Sequence, residues 1–348
     1  MLTLPGNLTT ETFLSDHWQK QPLFMPHAVE AVRPAVTRNE LAWLATLDDV
    51  ESRIVFTDRD DGRAHYRVES GPFDADFLQA LPGRDWSLLV HDVEKHLPAM
   101  RRLFDQVTFI PDWRIDDVMI SFAAPGGGVG PHRDNYDVFL CQGIGVREWR
   151  YTRALIVEDA EASNDLALLQ EFEGEERLVC RQGDVLYLPP GVAHWGTAQR
   201  ACLTYSIGMR APSFYTDPDL RLEEVRPGYI SPAAHIRAGK QASTLGRTVT
   251  ELKKWLQPLA PTESEIATLL ENPTALRKLS LHGMARIAFD DDKVYLNGAE
   301  SPLDVACREA IAALCDRRRL NRSLVSSLGS RRLYWLLAHG AFEIPENE

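Results

Sequence analysis

The sequence predicts an α+β protein in three segments: a β-rich barrel or sandwich over residues 1–212, a helical stretch over 213–280, and helices with a β-hairpin over 281–348. Three observations carry this. Six short β-rich runs punctuated by Gly and Pro all begin before residue 212. Past "RAPSFYTDPDLRLEEVRPG" the apolar residues change to helical spacing. Near the end, one hairpin pattern is followed by helical ones. With 348 residues, 44% of them hydrophobic, the chain can bury more than one core.

In the first segment the strand candidates are "SRIVFT", "HYRVES", "VMISFAAP", "VFLCQGIGVREWRY", "RLVCRQGDVLYLPPG" and "CLTYSIGMR". "TETFLSDHW" and "VEKHLPAMRRLFDQV" are its helix candidates. In the middle segment Leu245, Val249, Leu252, Trp255 and Leu256 share one helical face, which needs a partner. A second copy of the chain and an intramolecular core both satisfy it. Thr262 and Glu265 then form a capping box, and Pro273 ends that helix. In the last segment the hairpin is "HGMARIAFDDDKVYLNG" and the helices are "DVACREAIAALCDRR", "RSLVSSL" and "SRRLYWLLAHG", a set that resembles a winged helix.

Composition narrows the function classes. The net charge is −12, and residues 283–348 hold nine Lys/Arg against ten Asp/Glu, so −11 falls on residues 1–282. Such a field repels phosphates and suits a basic partner. The run "RRRLNRS" sits in a charge-balanced segment and reads as a solvated face, so direct nucleic-acid binding is not expected. Five cysteines without a C-x-x-C pair suggest neither a disulfide framework nor a cysteine zinc site. No apolar run approaches the ~20 residues of a membrane helix, and no signal peptide is evident at the start. A cytoplasmic protein is expected, which makes the Asn-x-Thr at Asn7 a chance match.

The chemistry-bearing stretch is "PGGGVGPHRDNYDVFL". Along a strand or its exit, residues two apart point the same way, so His132 and Asp134 can share one ion. By itself the pair fits a metal site or an ordinary polar turn. An oxygen-activating iron(II) centre needs three ligands on one face of an octahedron, which two histidines and a carboxylate supply. "RQGDVLYLPPGVAHWG" offers the third: Pro189, Pro190 and Gly191 turn the chain, and His194 opens the next strand. His17, His27, His65, His91, His96, His235, His282 and His339 lack such surroundings and read as surface or packing residues.

Taken together, "PGGGVGPHRDNYDVFLCQGIGVREWR" and "GDVLYLPPGVAH" resemble the JmjC-type branch of the iron(II) and 2-oxoglutarate oxygenases, which are built on a cupin-like double-stranded β-helix (a jelly roll). Within it the chain is most similar to the bacterial ribosomal-protein arginine hydroxylases. "FLSDHWQKQPLFM" and the order of parts fit the same group: catalytic domain 1–212, dimerisation segment 213–280, winged-helix-like domain 281–348. The resemblance implies His132, Asp134 and His194 as iron ligands, O2 and 2-oxoglutarate as co-substrates, succinate and CO2 as products, a basic ribosomal protein as substrate, and a homodimer.

It also places Arg147 at the distal carboxylate of 2-oxoglutarate. Arg147 lies beyond an expected Gly143–Gly145 turn, on a strand where Trp149 and Tyr151 share its face and Arg150 takes the other. A guanidinium buried there is costly unless it meets an anion. Ser121, in line with Met119 and Ala123, is a candidate second donor to that carboxylate. Tyr136 and Asp137 are candidates to flank a substrate arginine by stacking and charge pairing. The glycines of "PGGGVG" are read as letting backbone approach the substrate channel. The competing readings are a non-oxygenase cupin metalloprotein, which has no need of Arg147, and a winged-helix regulator with a ligand-sensing barrel.

Overall fold

The computed structural model describes residues 2–29, 36–60, 63–110, 114–153, 168–169, 172, 174–209, 260–282, 285, 287–289, 292–297 and 299–344. The chain divides into two compact units, Met1–Gln106 with Asp116–Arg210, and Val107–Ile115 with Ala211–Glu348.

The first unit is built on one ten-stranded sheet. Its strands are β1 (Leu23–Met25), β2 (Ser52–Asp60), β3 (Arg63–Ser70), β4 (Trp86–Val90), β5 (Ile115–Ala123), β6 (His132–Arg133), β7 (Asp137–Tyr151), β8 (Glu176–Arg181), β9 (Val185–Leu188) and β10 (Ala193–Met209). They follow the order β1-β9-β7-β10-β5-β4-β2-β3, with β6 beside β10 and β8 beside β7. β7 organises the sheet: one edge pairs with β9 over Val138–Cys141 and with β8 over Val146–Tyr151, while the other edge follows β10 along its length. The helix Thr10–Asp16, capped by the Thr9 hydroxyl, presses Phe13 edge-on against Tyr187 of β9, with ring centroids 5.0 Å apart.

Three sequence expectations change here. "WSLLV" (β4) was absent from the strand candidates; all five of its residues are buried, so it lacks the alternation that marks a half-exposed strand. "VEKHLPAMRRLFDQV" is not one α-helix. Val93–His96 is α-helical, Leu97 leaves the helical region at φ −120° and ψ 86° ahead of Pro98, and Pro98–Gln106 continues as a 3-10 helix. The Gly143–Gly145 stretch is not a turn. β7 passes straight through it, and the irregularity is taken up as register shifts between Ala198 and Thr204 of β10.

Gly145 holds φ at +72°, and a Cβ there would lie 2.1 Å from the Ala201 carbonyl oxygen. Gly145→Ala is therefore expected to destabilise the first unit by about 2–4 kcal/mol, combining left-handed strain with overpacking. The urea midpoint measures this, and a midpoint equal to wild type rules the account out.

In the second unit the expected hairpin is formed by β12 (Ile287–Phe289) and β13 (Lys293–Leu296), extended by β14 (Ala299–Pro302); β11 (Ser280–Leu281) pairs with β15 (Phe342–Glu343). Helix Val305–Arg317 buries Cys307, Ala310, Ile311, Leu314 and Cys315, a single stripe at helical spacing. Helix Arg322–Ala338 breaks at Gly329 (φ 67°, ψ 165°), which is why its sequence reads as two helices. The Thr262–Glu265 capping box is formed. Pro273 stands at the first position of a further helical turn, Pro273–Leu276, where its missing N–H costs nothing. The apolar face of Leu245, Val249, Leu252, Trp255 and Leu256 lies outside the described residues. All five cysteines are buried free thiols. No helix among the described residues is long and apolar enough to cross a membrane.

Candidate metal centre and its cavity

Register brings the two histidines together. β6 pairs with the start of β10 so that His132 stands directly opposite His194, and the imidazole centroids lie 4.2 Å apart. Asp134 follows two residues after His132; its carbonyl accepts the N–H of Gly191 at 2.8 Å, tying it to the Pro189–Gly191 turn. Its carboxylate Oδ2 comes within 3.7 Å of His194 Nε2. One ligand atom from each of the three residues lies within 4.8 Å of the others, and among the described residues this is the only cluster of metal-ligating type.

The histidine tautomers are set by backbone. His132 Nδ1 bonds the Gly130 carbonyl at 2.9 Å and His194 Nδ1 bonds the Val192 carbonyl at 3.0 Å. A carbonyl only accepts, so each Nδ1 carries the proton and each Nε2 lone pair is left for a metal. Burial, then the neighbouring His132, pushes the His194 pKa down to about 4, against the smaller opposing pull of Asp134. A neutral imidazole is the form that binds metal. This donor set suits iron(II) as a facial triad.

The three residues face a cavity of about 260 Å³ that is also lined by Arg147, Ser121, Trp149, Asp117, His91 and Arg53. Arg147 is 5% exposed. Its Nη1 donates to Ser121 Oγ at 3.2 Å, its guanidinium lies 5.4 Å from the Trp149 ring centroid, and its Nε is buried without an acceptor. Among the described residues no carboxylate pairs with it. Because Ser121 accepts from Arg147, its own O–H remains available to an anion. Arg150 points to the opposite face, where Glu148 holds its Nε at 3.2 Å and Trp195 lies beneath its guanidinium. A buried, half-satisfied cation beside a free hydroxyl is a seat for a carboxylate.

Two expectations for the substrate side divide. Tyr136 lines the cavity. Asp137 does not: it is 1% exposed, and its carboxylate accepts the Tyr187 hydroxyl at 2.5 Å and the Gln19 amide at 3.2 Å, so it braces β7 instead of meeting a substrate. The glycine run also differs in detail. A Cβ on Gly127 would lie 2.1 Å from the Trp86 carbonyl oxygen and one on Gly128 2.5 Å from that of Gly196, so these glycines serve close packing on β4 and β10, and it is Val129 that faces the cavity.

Asp117, His91 and Arg53 were missed from sequence. Asp117 was accessible to it, since the alternation that pairs Met119 with Ser121 also includes Asp117 two residues earlier. The His91 ring contacts Asp117 from β5 and Arg53 from β2, a meeting with no local signal. Beneath them burial, then the charges of Asp117 and Asp92, push the Glu94 carboxyl up to about 8 while its Oε2 accepts the Val118 N–H.

A family model described as JmjC domain matches residues 102–216. The chain is 34% identical to the ribosomal protein uL16 3-hydroxylase of Escherichia coli (strain K12), covering 87% of each protein. It is 36% identical to a probable ribosomal oxygenase of Haemophilus influenzae, over 69% of this chain and 62% of that protein. Among solved structures it is similar to the Escherichia coli ribosomal oxygenase YcfD in complex with cobalt and 2-oxoglutarate, with a TM-score of 0.66 and 29% identity over 98% of this chain and 99% of that one. The large antiparallel sheet is accordingly of the JmjC/cupin type, as the motifs suggested.

Proposed function

We propose, from the premise that this chain belongs to the JmjC-domain ribosomal oxygenases, that it hydroxylates an arginine side chain of a large-subunit ribosomal protein using iron(II), O2 and 2-oxoglutarate. The observation that carries the co-substrate is the Arg147–Ser121 end of the cavity, a donor pair lacking an anion on the same cavity as the His132, Asp134 and His194 cluster. A non-oxygenase cupin has no use for that end, which counts against the competing metalloprotein reading.

Iron held by His132, Asp134 and His194 supplies the oxygen chemistry: one atom of O2 enters succinate as 2-oxoglutarate loses CO2, and the other enters the substrate as hydroxyl. The protein's own residues do the positioning. Arg147 and Ser121 hold the distal carboxylate, and Trp149 shields that end. On the substrate side, Asp117 and Tyr136 supply a negative charge and an aromatic face. Asp117 Oδ1 packs close to Gly208, where a Cβ would come within 3.0 Å of it, and Asp117, Tyr136 and Gly208 share the cavity wall, so a planar guanidinium in the cavity can meet the carboxylate and the ring together. The −11 charge on residues 1–282 favours a basic partner.

We read residues 213–280 as a dimerisation segment, since its apolar face needs a cover, and residues 281–348 as a winged-helix-like domain on the strength of its hairpin and helices. The test of the main reading is direct. With iron(II), ascorbate and 2-oxoglutarate, the protein is expected to form succinate when given peptides from a uL16-type protein, and mass spectrometry should find one added oxygen on an arginine. An added oxygen on another residue type, or no turnover of basic peptides, overturns it.

A further inference from the structure

We infer that His91 and Arg53 are positioning residues that aim Asp117 at the substrate's cation; this rests on reading Asp117 as the seat of that cation. Arg53 Nη2 lies 3.0 Å from His91 Nε2, and His91 Nδ1 lies 3.3 Å from Asp117 Oδ2. A guanidinium only donates, so Nε2 accepts, the ring's proton sits on Nδ1, and Nδ1–H donates to Asp117. The chain of bonds therefore runs one way, from Arg53 through a neutral imidazole to the carboxylate.

Asp117 Oδ2 takes a second bond from the Asp92 N–H at 3.4 Å. Both contacts are long, so neither fixes the carboxylate alone and its orientation depends on the pair. Oδ2 is thereby committed to protein donors. Oδ1 is left with no donor among the described residues, close against Gly208 on the cavity wall that Tyr136 shares. Arg53, His91 and Asp117 come from β2, the residue after β4, and β5, three strands adjacent in the sheet, so ordinary ladder pairing holds the relay together.

Substitutions at His91 separate the two halves of the relay. The amide nitrogen of Asn falls near the place of Nδ1 and keeps the bond to Asp117; Gln reaches the place of Nε2 and keeps only the Arg53 contact. His91→Gln and His91→Leu are expected to raise the KM for an arginine-bearing basic peptide about tenfold, the worth of one bond to a charged group. His91→Asn should stay within about twofold of wild type, and in all three the loss falls on peptide KM more than on kcat or on the KM for 2-oxoglutarate. Long-range 1H–15N spectra of the unliganded protein should show His91 as the single Nδ1–H tautomer, becoming mixed in Arg53→Met.

Equal KM values for the Asn and Gln variants, or a mixed tautomer in wild type, overturn the inference. So does a loss shared by peptide and 2-oxoglutarate together. If wild type turns over the lysine counterpart of the peptide in place of the arginine one, the arginine reading fails, yet the same Asn-against-Gln comparison on that peptide still decides the relay. If neither peptide is turned over, both readings fall.

Discussion

Asp134→Ala is expected to abolish peptide-dependent succinate formation, by roughly three orders of magnitude or more, and to remove tight binding of iron(II) or manganese(II). Two imidazoles, even held correctly, leave the site with one ligand fewer and without the anionic oxygen that offsets the ion's charge. A loss of several kcal/mol of metal stabilisation at about 1.4 kcal/mol per decade gives that scale. The partner control is Asp137→Asn. It lies three residues further along but braces Tyr187 and Gln19, so it should lower the melting temperature while metal titration stays at wild-type strength. If Asp137→Asn loses metal and Asp134→Ala retains it, the ligand assignment is wrong.

The second large effect belongs to the Arg147–Ser121 pair. Arg147→Ala should raise the KM for 2-oxoglutarate roughly 30- to 1000-fold, since removing one partner of a buried, hydrogen-bonded charge pair costs about 2–4 kcal/mol. Metal binding without co-substrate should be unchanged. Arg150→Ala is the internal comparison: three residues away on the same strand, it pairs with Glu148 at 3.2 Å on the opposite face and should change that KM by less than about threefold, as a partly exposed ion pair contributes little. Metal titration followed by 2-oxoglutarate kinetics separates the two variants. Loss of metal in Arg147→Ala would mean that the guanidinium supports the fold rather than the co-substrate.

Much of this is legible in the chain itself. Gly/Pro punctuation and β-branched runs mark the strands, the Thr262–Glu265 pair marks a helix start, and two-residue periodicity puts Arg147 and Trp149 on one face and Arg150 on the other. Local chemistry sufficed there, because neighbours in sequence remain neighbours on a strand or helix. β4 escaped since burial on both faces erases alternation, and the Gly143–Gly145 stretch misled since two glycines can permit a close strand crossing as readily as a turn.

The triad marks where local reading ends. That His132, Asp134 and His194 are ligand-type residues in suggestive settings was visible in the sequence, and the family resemblance joined them into one site. That His132 faces His194 across a ladder, that Asp137 turns away to Tyr187, and that Arg53 and His91 stand behind Asp117 all depend on register between strands far apart in the chain. Register is chosen by the packing of the whole sheet, and shifting one strand by a residue would send each of these side chains to the other face.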